Sequence, residues 1–165
     1  MEQIVLFDEK VGDTLEAAKD FLKTEMKNGA SCPCCGQFVK LYRRSISSAM
    51  AWGLIQLAKQ PEGEWVDTTA LFSRYGSSCP SGVVDFTKLR HWDFVEGLDG
   101  EREDGSKRVG KWRITREGRW FAENRQVAQK YCLVFNNTVY GFEGEFLRIK
   151  DCLGNKFDYN ELIQH

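Results

Sequence analysis

Apolar positions along the chain recur with two different periods, and the alternation between those periods lays out the expected elements. From Asp13 or Thr14 to Asn28, the residues Leu15, Ala18, Phe21, Leu22 and Met26 fall at three- and four-residue steps before Gly29, which predicts one amphipathic helix. A compact turn, Cys32-Pro33-Cys34-Cys35-Gly36, separates it from the alternating run Phe38 to Arg44, read as a short strand. Serines from Ser45 onward can cap a second helix with Ile46, Ala49, Met50, Leu54, Leu57 and Ala58 on its apolar face, ended by Gln60-Pro61. Glu64-Trp65-Val66 reads as strand, and Asp67-Thr68-Thr69 opens a brief helix through Tyr75. Asp85 is expected to cap a third helix with Phe86, Leu89 and Trp92 inward and Lys88, Arg90 and His91 outward.

The period then changes to two. Phe94-Val95-Glu96 and the alternating Val109 to Ile114 flank a polar, glycine-punctuated stretch from Gly97 to Ser106, which predicts a β-hairpin with a long tip. Thr115 caps a further helix to Asn124. A second hairpin follows, with Asn136-Asn137 as its turn between Tyr131–Phe135 and Thr138–Phe142, because asparagine tolerates the positive φ of a tight turn. A small terminal unit covers 143–165. The expected organisation is 1–44, 45–128 and 129–165.

Composition narrows the class. With 165 residues, 28% charged and 13% aromatic, the chain is too rich in large apolar side chains for a disordered segment and long enough to bury about two-thirds of its unfolded surface. No window is long and apolar enough to span a bilayer. The start, MEQIVLFDEK, carries acids where an export signal needs basic residues, so the expectation is a cytoplasmic protein with no membrane partner. The formal net charge of -1 excludes a bulk polyelectrolyte, but it is a cancellation between blocks. Residues 32–60 hold four Lys and Arg with no acid, 61–106 hold ten acids against four bases, and 107–128 hold seven bases against two acids.

The order helix, short strand, helix, helix, hairpin, helix over residues 45–125 resembles a winged helix. The motifs that carry this resemblance are Leu89-Arg90-His91-Trp92-Asp93-Phe94-Val95-Glu96 and Trp112-Arg113-Ile114-Thr115-Arg116-Glu117-Gly118-Arg119-Trp120-Phe121. They are similar to the third helix and the closing helix of bacterial winged-helix regulators. The resemblance implies an α+β fold of three helices plus a β-hairpin wing. To it the pattern adds an N-terminal helix with a cysteine knuckle and a small C-terminal β-hairpin extension. The whole layout is also similar to proteins of bacteriophages and bacterial mobile elements, which would put it in a host cytoplasm.

In that family the third helix enters the major groove and the wing touches the backbone or minor groove. Carried onto this sequence, the resemblance nominates Thr87, Lys88, Arg90 and His91 on the helix. On the wing and after it, it nominates Lys107, Arg108, Lys111, Arg113, Arg116 and Arg119. The implied partner is double-stranded DNA, bound to regulate transcription or another DNA transaction. The acids of the third helix and wing tip leave a second partner open, a host protein such as a polymerase, nuclease or defence component. A homodimer is compatible with either.

Cys32, Cys34 and Cys35 form the other constellation. Cys32 and Cys35, three apart on a glycine-ended turn, suit half of a tetrahedral zinc site, with Cys34 and Cys79 as further candidate ligands. A metal-free knuckle and a redox pair are the alternatives. Cys132 and Cys152 sit in apolar patterns and read as packing residues. Neither His91 nor His165 has a nearby nucleophile motif, and there is no glycine-rich phosphate loop, so no catalytic residue is nominated and a non-enzymatic protein is expected.

Overall fold

The computed structural model describes residues 14–99 and 108–164. They form a mixed α+β structure divided into two compact units, one of the described residues 14–44 with 133–141 and one of those from 45–132 with 142–164. Among the described residues, no helix is long and apolar enough to cross a membrane.

In the first unit, helix α1 (Leu15–Glu25) is capped by Thr14, whose side chain accepts the Ala17 N–H at 3.1 Å. It buries Ala18, and Met26 is buried just beyond its end. The alternating run after the cysteine turn is divided between two strands. β1 (Ala30–Ser31) and β2 (Phe38–Val39) pair antiparallel around the turn, in register Ala30 to Val39 and Ser31 to Phe38. β3 (Tyr42–Ser45) enters a different sheet, of order β3-β7-β8. There β7 (Ala128–Phe135) and β8 (Thr138–Leu147) make the second hairpin, of which only residues 133–141 belong to this unit. Asn136 and Asn137 hold φ of 47° and 64°, the pair of left-handed residues that such a turn demands.

The second unit is organised around α2 (Ser48–Ala58), capped by Ser47. Every residue from Met50 to Leu57 is buried, so this helix presents no solvent-facing stripe over those positions. Even Gln56 is covered, and its side-chain oxygen accepts a hydrogen bond from the Tyr75 hydroxyl at 2.7 Å. Around α2 stand β4 (Val66–Asp67), α3 (Thr68–Ser73), a 3₁₀ segment (Val83–Trp92), β5 (Val95–Asp99), β6 (Arg108–Ile114) and α4 (Arg116–Ala122). The sheet order is β4-β6-β5, antiparallel throughout. Helices α5 (Ile149–Leu153) and α6 (Tyr159–Gln164) complete the unit.

Aromatic rings link these elements edge to face: Trp52 with Tyr75, Phe72 with Phe86, and Phe86 with Trp112, at centroid separations of 5.0, 5.3 and 5.5 Å.

The expected third α-helix is corrected to a 3₁₀ helix, without Asp85 as its cap. Gly82 precedes it at φ 84° and Asp93 ends it at φ 58°. Its buried residues are Val83, Phe86, Leu89 and Trp92, a strict spacing of three, which is the repeat of a 3₁₀ turn and not the 3.6 of an α-helix.

The Thr115-to-Phe121 motif ties this segment to α4. Thr115 donates its hydroxyl to the Asp93 carbonyl and its N–H to the Phe94 carbonyl, and its oxygen also accepts the Gly118 N–H at 3.0 Å. The rings of Phe94 and Phe121 stack at 4.6 Å. Gly118 is buried where the Phe94 backbone passes: a Cβ there would overlap the Phe94 carbonyl oxygen and stand 2.8 Å from its carbon. Since backbone cannot swing aside as a side chain can, Gly118→Ala is expected to destabilise the protein by about 3 kcal/mol or more. Urea unfolding checks this, and a midpoint within error of wild type would contradict the packing described.

Candidate nucleic-acid interface and cysteine turn

The basic residues nominated from sequence lie in the second unit, and their surroundings differ sharply. Two rows run outward along the 3₁₀ segment, since residues three apart eclipse one another: Val84, Thr87 and Arg90 in one, Asp85, Lys88 and His91 in the other. Val84 is 72% exposed and Arg90 is exposed, while Thr87 and His91 are half-buried. The Thr87 hydroxyl donates to the Val84 carbonyl at 3.4 Å. The same eclipsing brings the Lys88 ammonium to 2.9 Å from the Asp85 carboxylate, so Lys88 carries a counter-charge of its own.

On the hairpin, Lys107 lies outside the described residues, and Arg108 is described only as the first backbone position of β6. Lys111 is exposed, in register with Asp67 of β4. Arg113 is held from two sides. Its guanidinium lies 4.3 Å from the centre of the Trp65 ring, and its Nη2 is 2.6 Å from Glu96 Oε1, the residue directly across the hairpin.

Arg116 is exposed, 3.1 Å from the Glu117 carboxylate and 5.0 Å from the centre of Trp120. Arg125 lies 5.7 Å from the same ring, which is 36% exposed. Backbone hydrogen bonding, and then the Arg116 side chain, hold the Glu117 carboxyl below its ordinary range. Arg119 is used structurally: its two terminal nitrogens donate to the carbonyls of Ala58 and Gln60, at 2.7 and 3.4 Å, and close the C-terminal end of α2.

Arg90, Lys111 and Arg116 are exposed in the second unit, Arg116 beside the Glu117 carboxylate, while Lys88 pairs with Asp85, Arg113 with Glu96, and Arg119 is committed to a helix end. The partners Asp85, Glu96 and Trp65 were not singled out from sequence. Hairpin register was the available signal for Glu96, and acid–base spacing of three was the signal for Asp85.

In the first unit, the cysteine turn is closed by two backbone hydrogen bonds of 2.8 Å, from Cys32 N–H to the Gln37 carbonyl and from Gly36 N–H to the Cys32 carbonyl. Gly36 sits at φ 74°, a conformation that admits glycine without strain. Cys32 is half-buried, and Cys34 and Cys35 are exposed. Backbone amides of Cys35 and Cys34 point at the Cys32 sulfur and hold its pKa below the ordinary thiol value, whereas desolvation, and then the neighbouring Cys32 charge, raise that of Cys34.

Cys79 is half-buried, belongs to the second unit and is raised by burial. Among the described residues, no group of three or more His, Cys, Asp or Glu side chains is arranged to hold a metal ion. Compared with known proteins, the chain matches no family model, no curated protein and no solved structure.

Cys132 and Cys152 are buried, and burial pushes their thiols up to about 11 and about 12. An acid whose folded pKa is raised loses stabilisation as pH climbs past its unfolded value, because only the unfolded chain then releases the proton. Lys130, raised by its hydrogen bond to Glu145, acts in the same direction, as does Tyr159, raised by burial. The urea midpoint is therefore expected to fall steadily from about pH 9 upward, given an ordinary thiol pKa of about 8.5. The fall should be shallower in a Cys132→Ala, Cys152→Ala double variant. A midpoint that holds constant to pH 11, or an identical slope in the variant, would contradict these assignments.

Proposed function

We propose that residues 45–125 form a winged-helix module that binds double-stranded DNA without catalysing a reaction, as a regulator of transcription or of another DNA transaction. The observation that carries this reading is the antiparallel sheet β4-β6-β5, whose hairpin strands β5 and β6 follow α2, α3 and the 3₁₀ segment, the last of which buries every third residue from Val83 to Trp92 and leaves Arg90 exposed. In this reading the 3₁₀ segment is the groove-facing element, with Thr87 and His91 beside Arg90, and Lys111 and Arg116 contact phosphate. A 3₁₀ helix rises about 2.0 Å per residue, so it is longer and thinner than an α-helix of the same sequence. Its eclipsed row would offer fewer side chains to a groove. The expected result is modest sequence discrimination and an affinity dominated by phosphate contacts.

The second reading, a protein partner, is favoured by one observation. Val84, 72% exposed, heads the outward row that ends in Arg90, and two other nominated cations of the unit, Lys88 and Arg113, already face Asp85 and Glu96. An apolar residue among compensated charges suits a protein surface better than a phosphate backbone.

Fluorescence anisotropy on a labelled random duplex, titrated with salt, separates the two. Phosphate contacts from Lys111 and Arg116 predict a log–log slope of about −2, Lys111→Ala or Arg116→Ala should each reduce its magnitude by about 1, and Arg90→Ala should weaken binding through the lost groove contact. Asp85→Asn, which frees Lys88, should strengthen binding. Absence of binding at low salt, or affinity indifferent to all four changes, would overturn the DNA reading and leave the protein partner.

A further inference from the structure

The cysteine turn has no part in the DNA reading, yet it gathers three of the six cysteines into four positions on a turn of the first unit. We propose that Cys32 and Cys35 form a reversible thiol–disulfide exchange site, oxidised by low-molecular-weight disulfides. The turn brings the two side chains together by construction. Hydrogen bonds from Cys32 N–H to the Gln37 carbonyl and from Gly36 N–H to the Cys32 carbonyl close a loop across which residues three apart meet. The Cys32 sulfur is within hydrogen-bonding reach of the thiols and backbone amides of both Cys34 and Cys35. Pro33 fixes φ inside the turn, and Gly36 at φ 74° lets the chain leave it, so the pair is pre-organised by backbone and not by a mobile loop.

Exposure assigns the roles. Cys35 is exposed and can meet a soluble disulfide, while Cys32 is half-buried and suits the internal step. The Cys35 thiolate attacks one sulfur of R–S–S–R, forming a Cys35–S–S–R mixed disulfide and releasing R–S⁻, which takes up a proton. The Cys32 thiolate then attacks the Cys35 sulfur, forming the Cys32–Cys35 bond and releasing the second R–S⁻. In sum, two protein thiols are oxidised to one disulfide and one R–S–S–R is reduced to two R–SH. Cys34 is the poorer partner because a bond to Cys35 would link successive residues, forcing the peptide between them out of its relaxed geometry. Cys132 and Cys152, buried in the second unit, serve as internal controls.

The test uses the full chain, reduced and freed of metal, and oxidised glutathione as the oxidant, with peptide mapping by mass spectrometry. The expected product has lost two of its six thiols, carries a Cys32–Cys35 link and reverts fully with dithiothreitol. Cys34→Ser should give the same link. Cys32→Ser should instead retain glutathione on Cys35, with far-UV circular dichroism checking that the half-buried substitution leaves the fold intact. Three results would overturn the proposal: thiols that stay reduced in oxidised glutathione, a link that uses Cys34 or Cys79, or a Cys32→Ser variant that clears its adduct as fast as wild type. A chain purified with one tightly held zinc, whose thiols oxidise only after chelation, would likewise reassign the turn to metal binding.

Discussion

The close approach of the Phe94 backbone to Gly118 is the constraint on which the second unit depends. It fixes where the 3₁₀ segment hands over to β5, because Thr115 holds the Asp93 and Phe94 carbonyls while the Phe94 ring stacks on Phe121. From the same short helix, Arg119 reaches the end of α2. One turn of α4 therefore fastens three pieces of chain together, and it does so with polar groups that each satisfy an otherwise unpaired carbonyl. That explains why a threonine, a glycine, an arginine and a phenylalanine occur together: each fills a different role at one junction.

The handover also explains the shape of the segment before it. Val83, Phe86, Leu89 and Trp92 all face inward, and Trp92 donates its indole N–H to the Gln129 carbonyl at 3.0 Å. Four inward residues at a spacing of three cannot share one face of an α-helix over ten residues, since the stripe would drift by about 60° at each step of three. Burial outweighs the better hydrogen-bond geometry of the α form. The outward rows that result are straight, and this alignment pairs Lys88 with Asp85. Core packing thus decides how much positive charge the surface of this segment presents.

Much of the architecture was legible in the chain. Thr14, Ser47, Asp67 and Thr115 each cap the helix expected to follow them, and the Asn136-Asn137 turn has the left-handed backbone its composition implied. These features are local, set by a side chain and the few amides within its reach. The 3₁₀ run was legible in principle, because its spacing of three is visible in the sequence, but Phe86, Leu89 and Trp92 suit an α-helical face almost as well over so short a stretch. The run Phe38 to Arg44 gave a strand pattern without revealing that its halves serve two sheets, since alternation states a face and not a partner.

The sequence by itself determined the elements, their caps, the tight turns and the clustering of cysteines, all of which depend on neighbours within about four residues. Only the tertiary structure decided which charges remain available. Arg113 meets Glu96 across 17 residues and Arg119 meets Ala58 across 61, and neither pairing is written in local spacing. Coulomb and hydrogen-bond energies act over a few ångströms of space, whatever the separation along the chain, so a basic block in the sequence becomes a basic surface only where folding leaves its partners elsewhere.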